Sequence, residues 1–385
     1  MLGYERWDNL STFGARQPHP EHRVSASLRA FPHLRKGNDM ADTSVLQRPT
    51  PEFIRERRAE NQKARARDFA ETLGITEAEL VAAHVGHGVT PIDPTPDRLF
   101  PLIRDLGDVM ALTRNRSCVH ERVGTYEPFH GGAQAAMVLG TEIDMRIFPS
   151  HWVHGFAIEE ATENGPKRSL QIFDAHGDAV HKVHLRPESN VQAFDALVAT
   201  LAREMPALEL TPPPPVAPAK ADPAQADALR AEWERMTDTH QFQRMVHRLK
   251  MNRLGAYRVA GEPFARQLAP EAVQIALQTA ATDAIPVMIF VGNMGCIQIH
   301  GGPIERLVPM GPWINVMDPR FNLHLRADHI AEVWCVNKPT RTGAAISVEG
   351  FDAEGSLILQ IFAYRKDTPA DAWNALTLSL PGVQA

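Results

Sequence analysis

Past residue 50 the chain alternates between two textures of apolar spacing. From Pro51, PEFIRERRAENQKARARDFAETLG is helical in composition. Gly74 then predicts a stop, ITEAELVAAH a second helix and DRLFPLIRDLG (97–107) a third. After Gly107 the apolar residues come in short runs, several alternating with polar ones: VMALT, AAMVLG, IDMRIF, HWVHGFAIEE, SLQIFD and AVHKVHL. Runs of that kind, punctuated by Asn164-Gly165 and His176-Gly177, predict strands joined by tight turns. The helix NVQAFDALVATLARE closes this stretch, and TPPPPVAPAKADPAQ (211–225) predicts an extended, semi-rigid linker. Beyond the linker the order returns. Helices come first (ADALRAEWERM, HQFQRMVHRLKMNRLGAYRVAG, PEAVQIALQTAA), then strands (VMIFVG, WINVM, FNLHLR, EVWCVNKP, AAISVEGFD, LILQIFAYR), then a helix around Trp373.

The return is a duplication in register. Asn115 matches Asn293, Cys118 matches Cys296, and Phe173-Asp174 matches Phe351-Asp352, all at one constant separation. At that separation Asp174-Ala-His-Gly177 aligns with Asp352-Ala-Glu-Gly355, a turn in both copies, and Arg146 falls opposite His324. The pattern predicts an α+β fold made by tandem duplication, each half a mostly antiparallel β-sheet flanked by α-helices, the two related by a pseudo-twofold. We divide the chain into a first repeat (51–210), the proline-rich linker (211–225) and a second repeat (226–385). Residues 1–50 show no periodicity. Because Met40 opens MADTSVLQRPTPEF, residues 1–39 read either as a disordered tail or as the product of an upstream start.

Composition narrows the function class. A formal charge of −6 with no long basic run argues against general nucleic-acid binding or attachment to an anionic membrane surface. No apolar run approaches the roughly 18 residues of a membrane span, and the N-terminus lacks a secretory h-region, so a cytoplasmic protein that is not membrane-embedded is expected. Cys118, Cys296 and Cys335 have neither zinc nor disulfide spacing, and the duplication of the first two suits small buried side chains.

Nucleophile elbow, Walker loop, dinucleotide fingerprint and zincin motif are all absent. His181 and His184 alternate on one strand and point to opposite faces, so they cannot chelate together; packing or hydrogen bonding is the expected role of His181. His240 lies at the start of a helix expected to run to about Val259, capped by Asp238 or Thr239. The apolar stripe of that helix is Phe242, Met245, Val246, Leu249, Ala256 and Tyr257, and His240 falls on the other side with Arg244, His247 and Met251. Pattern alone leaves His240 either on a solvated face or facing a ligand. Arg253, within the apolar stripe, needs an anion or a route to water. Lys338, Tyr364 and Arg365 add polar groups to apolar strands; together such cations would suit a flat apolar ligand bearing carboxylates, and singly each suits the surface.

Several stretches carry a resemblance to a known family. They are VMALTRNRSCVHERVGTYE (109–127), IDMRIFPSHW (143–152), SLQIFDAHGDAVHKVH (169–184), TDTHQF (237–242), GNMGCIQIHGGPI (292–304), and NLHLRADHIAEVWCVNKPT through SVEGFDAEGSLILQIF. In them residues 52–380 resemble the hemin-degrading factors of the HmuS, HemS and ChuS type. The resemblance implies a cytoplasmic protein of bacterial heme uptake, monomer or dimer, that receives heme b (iron protoporphyrin IX) from an ABC importer. It implies one heme held between the N-terminal sheet and helices of the C-terminal half. His240 would be the axial iron ligand and Arg146 the catalytic distal arginine; Arg253, Lys338, Gln360, Tyr364 and Arg365 would lie toward the propionates. It further implies oxidative ring opening to a bilin-type tetrapyrrole and iron, with an outside reductase. The alternative is trafficking or storage, with heme handed to a separate heme oxygenase.

Overall fold

A computed structural model describes residues 48–205, 208–364 and 370–383. The expectations for residues 1–39 and for Arg365 lie outside the described residues. In the first repeat, three helices, α1 (Pro51–Glu60), α2 (Ala66–Thr72) and α3 (Glu77–Ala82), precede β1 (Val89–Ile92) and α4 (Pro96–Ile103). Then follow β2 (Val109–Arg114), β3 (Cys118–Gly124), β4 (Phe129–His130), β5 (Ala136–Leu139) and β6 (Asp144–Ile147). The repeat ends with β7 (His154–Glu160), β8 (Lys167–Phe173), β9 (Ala179–Leu185) and α5 (Val191–Leu201).

The second repeat reproduces this order element for element. It opens with α6 (Ala226–Glu234), α7 (Gln241–Arg248), α8 (Arg253–Ala260), β10 (Ala265–Leu268) and α9 (Ala272–Thr282). Then come β11 (Val287–Gly292), β12 (Cys296–Gly302), β13 (Leu307–Met310), β14 (Trp313–Asp318) and β15 (Phe321–Arg326). It closes with β16 (Glu332–Lys338), β17 (Ala345–Phe351), β18 (Leu357–Ala363) and α10 (Asp371–Ser379). The aligned turns also agree: Gly177 and Gly355 both have positive φ (85° and 87°), where an L side chain would be strained. Among the described residues no helix is long and apolar enough to cross a membrane.

The α+β duplication is as expected, but the strands are shared between repeats. One nine-stranded antiparallel sheet has the order β1-β7-β8-β9-β2-β3-β15-β14-β13, the other β10-β16-β17-β18-β11-β12-β6-β5-β4. Each repeat therefore lends its third to fifth sheet strands after the short helix to the other sheet, through β3–β15 and β12–β6 pairing. The duplicated cysteines follow the exchange: buried Cys118 packs in the core built mainly by the second repeat, and buried Cys296 in that of the first.

Asn115 and Asn293 brace this junction by the same geometry in both directions. The Asn115 amide donates to the carbonyls of Gly292 (3.2 Å) and Ile358 (2.8 Å), and that of Asn293 to Arg114 (3.0 Å) and Val180 (2.8 Å). Their side-chain oxygens accept from the backbone of Ser117 and Cys118, and of Gly295 and Cys296. Asn293→Ala strands four such groups at a part-buried site, so it should cost about 1–3 kcal/mol. A chemical-denaturation midpoint indistinguishable from wild type would contradict this brace.

Candidate functional site

One face of the second sheet is closed by α9 and α10, whose Val273, Ala276, Leu277 and Trp373 pack with Val287, Ile289, Val348 and Ile361. The opposite face is closed only in part. Helices α6 to α8 pack Trp233, Phe242, Met245 and Tyr257 against Ala265, Trp334 and Val336, on β10 and β16. Beyond them the register lays a half-exposed strip across β18, β11, β12, β6 and β5. Gln360 pairs with Phe290, Phe362 with Met288, Ile297 with Arg146 and Met137 with Arg146; directly paired residues share a face. The Phe290 and Phe362 rings meet edge to face at 5.2 Å, and half-exposed Leu139 continues the strip. An uncovered antiparallel face is ordinarily polar. This one is an apolar floor with a guanidinium at one margin, which is the make-up of a ligand trough.

Arg146, on β6, is bonded to Asp144 and to the Met145 carbonyl (3.1 Å). His240 lies in the helix layer, as the N-cap of α7. Its backbone N–H donates to Asp238 Oδ1 (2.8 Å), and its Nδ1 lies 2.6 Å from the same oxygen, with the imidazole 53% exposed. That pairing makes Nδ1–H the donor and leaves the ring lone pair on Nε2.

The single helix expected from His240 to Val259 is two. The chain breaks at Leu249–Asn252, with Lys250 at φ 55°, and Asn252 starts α8 by accepting from the Gly255 N–H. Asn252 also fastens the end of the linker, bonding the Lys220 N–H and the Pro218 carbonyl. A Cβ on Gly255 would stand 1.9 Å from the Lys220 carbonyl oxygen, so the linker can rest on the helix only because glycine is there. The break turns Met251, expected beside His240, into the core. It also folds Arg253 back, so that Arg253 and Lys338 both lie against the Phe242 ring (5.7 and 4.9 Å).

Arg253 does have an anion, one the sequence reading missed. Glu349, fully buried on β17, accepts from Arg253 (3.0 Å), Tyr257 (2.8 Å), Lys338 (2.8 Å) and Ser347 (2.8 Å). Burial pushes its carboxyl up, but the two cations and the hydroxyls outweigh that and hold it at about 2. Burial draws the Lys338 ammonium down to about 8 despite Glu349. The alternation of Ser347, Glu349 and Phe351 in ISVEGF was the available signal, since Glu349 shares the face of Lys338 and Trp334. Gln360 sits beside Glu349 in the ladder, at the edge of the strip. Tyr364 lies over Gly301, where a Cβ would come within 2.9 Å of its ring.

His181 bridges Thr113 Oγ1 (2.9 Å) and Tyr126 OH (2.6 Å) in the core, and burial lowers it to about 3, in keeping with the packing role expected of it. His184 is on the opposite face. Among the described residues no three His, Cys, Asp or Glu side chains form a metal cluster.

Residues 74–201 and 250–380 match the family model of the haemin-degrading HemS.ChuX domain. The chain is 39% identical over 315 residues to the hemin transport protein HmuS of Yersinia pestis, covering 80% of this chain and 90% of that protein. It is 38% identical over 313 residues to the hemin transport protein HemS of Yersinia enterocolitica, at the same coverage. Among solved structures, the holo form of PhuS, a heme-binding protein from Pseudomonas aeruginosa, superposes with a TM-score of 0.82 at 40% identity, over 87% of this chain and all of that one. The heme-degrading enzyme ChuS of Escherichia coli O157:H7 superposes with a TM-score of 0.78 at 33% identity, over 85% and 97%.

Proposed function

The chain belongs to the haemin-degrading HemS family, and on that premise we propose that it binds heme b in the trough of the second sheet and opens the ring oxidatively. The observation that carries the reading is the half-exposed apolar strip of the second sheet, with Arg146 on one of its strands. A porphyrin needs an apolar bed for its face, an imidazole for its iron and cations for its propionates. His240 Nε2 is the axial ligand in this reading. Asp238, holding Nδ1–H, would orient the ring, as carboxylates do for metal-bound histidines.

Bound heme supplies the oxygen chemistry; the protein supplies ligation, polarity and access. Arg146, its reach fixed by Asp144, would act as a hydrogen-bond donor toward the bound porphyrin. Arg253 and Lys338 would meet propionates by turning part of their bonding away from Glu349, with Gln360 and Tyr364 on the same margin. The reading extends to a cytoplasmic location, heme delivery by an ABC importer and an outside electron donor. The half-exposed imidazole favours a second reading, in which the chain carries or stores heme and passes it to a separate oxygenase.

One assay separates the two. The purified hemin complex is given ascorbate or a reductase with catalase present, and the Soret band, bilin absorption and chelatable iron are followed. Soret decay with matched bilin and iron is the expected result. A Soret band that persists under reductant overturns the degradative step and leaves the carrier.

A further inference from the structure

Helices α6 and α7 leave a depression of about 290 Å3 between them, walled by Arg235 at the end of α6 and by Arg244 and Arg248 on α7. Met236 and Met245, both buried, give it an apolar lining. Gln241, on the same wall, is fixed in place: its Oε1 accepts from the Thr237 N–H (2.9 Å) and its Nε2 donates to Thr237 Oγ1 (3.2 Å).

Charge in this depression does not balance. Glu232 is the one carboxylate lining it, and Arg248 already takes that carboxylate. Among the described residues the Arg235 and Arg244 guanidiniums have no hydrogen-bond or ion-pair partner. Arg244 and Arg248 stand four residues apart on one helix, an arrangement in which like charges repel. Arg235 is the C-cap of α6, where a cation suits the helix dipole, but Arg244 lies within α7 and gains nothing of that kind. The excess is not a matter of composition either, because the chain as a whole carries a formal charge of −6. An anion in the depression settles the imbalance.

The geometry selects the kind of anion. One guanidinium fork saturates a planar carboxylate, whereas a phosphate has oxygens for forks arriving from several sides. The volume is near the lower limit for ligand pockets, which suits a phosphate with a small group attached. The negative charge of the whole chain opposes an extended polyanion. We propose that the depression between α6 and α7 binds the phosphate or diphosphate group of a small soluble molecule, gripped by Arg235 and Arg244, with Arg248 turning from Glu232 to join them. The site rests on these residues alone and is independent of the heme reading.

The test is isothermal titration of the full-length protein with pyrophosphate at low ionic strength, where an exposed site is least screened. Saturable binding of one equivalent is expected. Arg235→Ala and Arg244→Ala should each weaken it about 10–100-fold, the loss of a charge-assisted hydrogen bond. Arg244→Lys should weaken it as well, because an ammonium keeps the charge and loses the fork. Arg57→Ala, which removes an equal charge from α1, should leave it unchanged. All the substituted positions are exposed, so circular dichroism should show every variant folded as wild type. ADP in place of pyrophosphate identifies the source: tighter binding assigns the group to a nucleotide, and equal or weaker binding to an inorganic diphosphate. Absence of saturable pyrophosphate binding overturns the proposal. So does succinate binding as tightly as pyrophosphate, or an Arg244→Lys protein equal to wild type, since either reduces the depression to a patch of diffuse positive charge.

Discussion

Replacing His240 by alanine will remove the imidazole-ligated Soret spectrum of the trough in the second sheet and weaken its hemin by more than 100-fold, on the order of what supporting partners alone contribute or above. The expectation follows from the division of labour around the ring. Asp238 consumes the Nδ1 proton at 2.6 Å and fixes the tautomer, so no other group near α7 offers an equally prepared lone pair. His181, the other ring considered, is sealed between Thr113 and Tyr126 and cannot reach a ligand without unpacking the core. The measurement is a hemin titration followed at the Soret band. An unchanged spectrum there would move the ligand to His247, on the exposed side of the same helix. Asp238→Asn should give a smaller loss in the same direction, because an amide oxygen can still accept from Nδ1 but carries no charge.

Glu349→Ala will have the largest effect on stability. It leaves Arg253 and Lys338 facing each other in a dry site with Tyr257 and Ser347 unpaired. Removing one partner from a buried ion pair costs about 3–5 kcal/mol. At roughly 2–4 °C per kcal/mol for domains of this size, the melting midpoint should fall by about 6–20 °C. The pH dependence carries a matching signature. The folded carboxyl is held at about 2, below its ordinary value of about 4.3, so its contribution is full above the higher value and is lost as pH falls toward the lower. Glu77, clamped by Lys182 and Arg114, is likewise held at about 2 and loses its contribution over the same window. Wild type should therefore lose stability steeply between about pH 4 and pH 2. The acid limb of Glu349→Gln should be shallower, with the part owed to Glu77 remaining. A Glu349→Ala protein with an unchanged midpoint would show that the two cations find other anions.

Much of this was legible along the chain because duplication repeats its own errors and signals at one interval. Asn115 and Asn293, or Gly177 and Gly355, identify equivalent turns without any knowledge of their partners. The reciprocal lending of strands was not legible, since β3 meets β15 through backbone hydrogen bonds between residues two hundred positions apart in order of magnitude, and no local pattern encodes that register. The break before α8 was hidden for a different reason. Apolar spacing stays in phase from Phe242 to Tyr257, and what interrupts it is a side-chain cap from Asn252 and a carbonyl from the linker pressing on Gly255. Arg253 shows how far a single anomaly reaches: its place in an apolar stripe correctly demanded an anion, and only the fold could say that Glu349 answers it. Arg146 and His240 were singled out through resemblance, while the strip of Met288, Phe290, Ile297 and Phe362 is visible only once three strands are set side by side.

The lending of β4–β6 and β13–β15 across the junction has a historical consequence. A single repeat of this design could complete its sheets only by pairing with an identical copy, as a strand-swapped homodimer. In such a dimer every substitution is made twice, once in each half, and the halves cannot differ. Joining the two repeats in one chain lifts that constraint, and equivalent strand positions do differ, as Arg146 on β6 and His324 on β15 show.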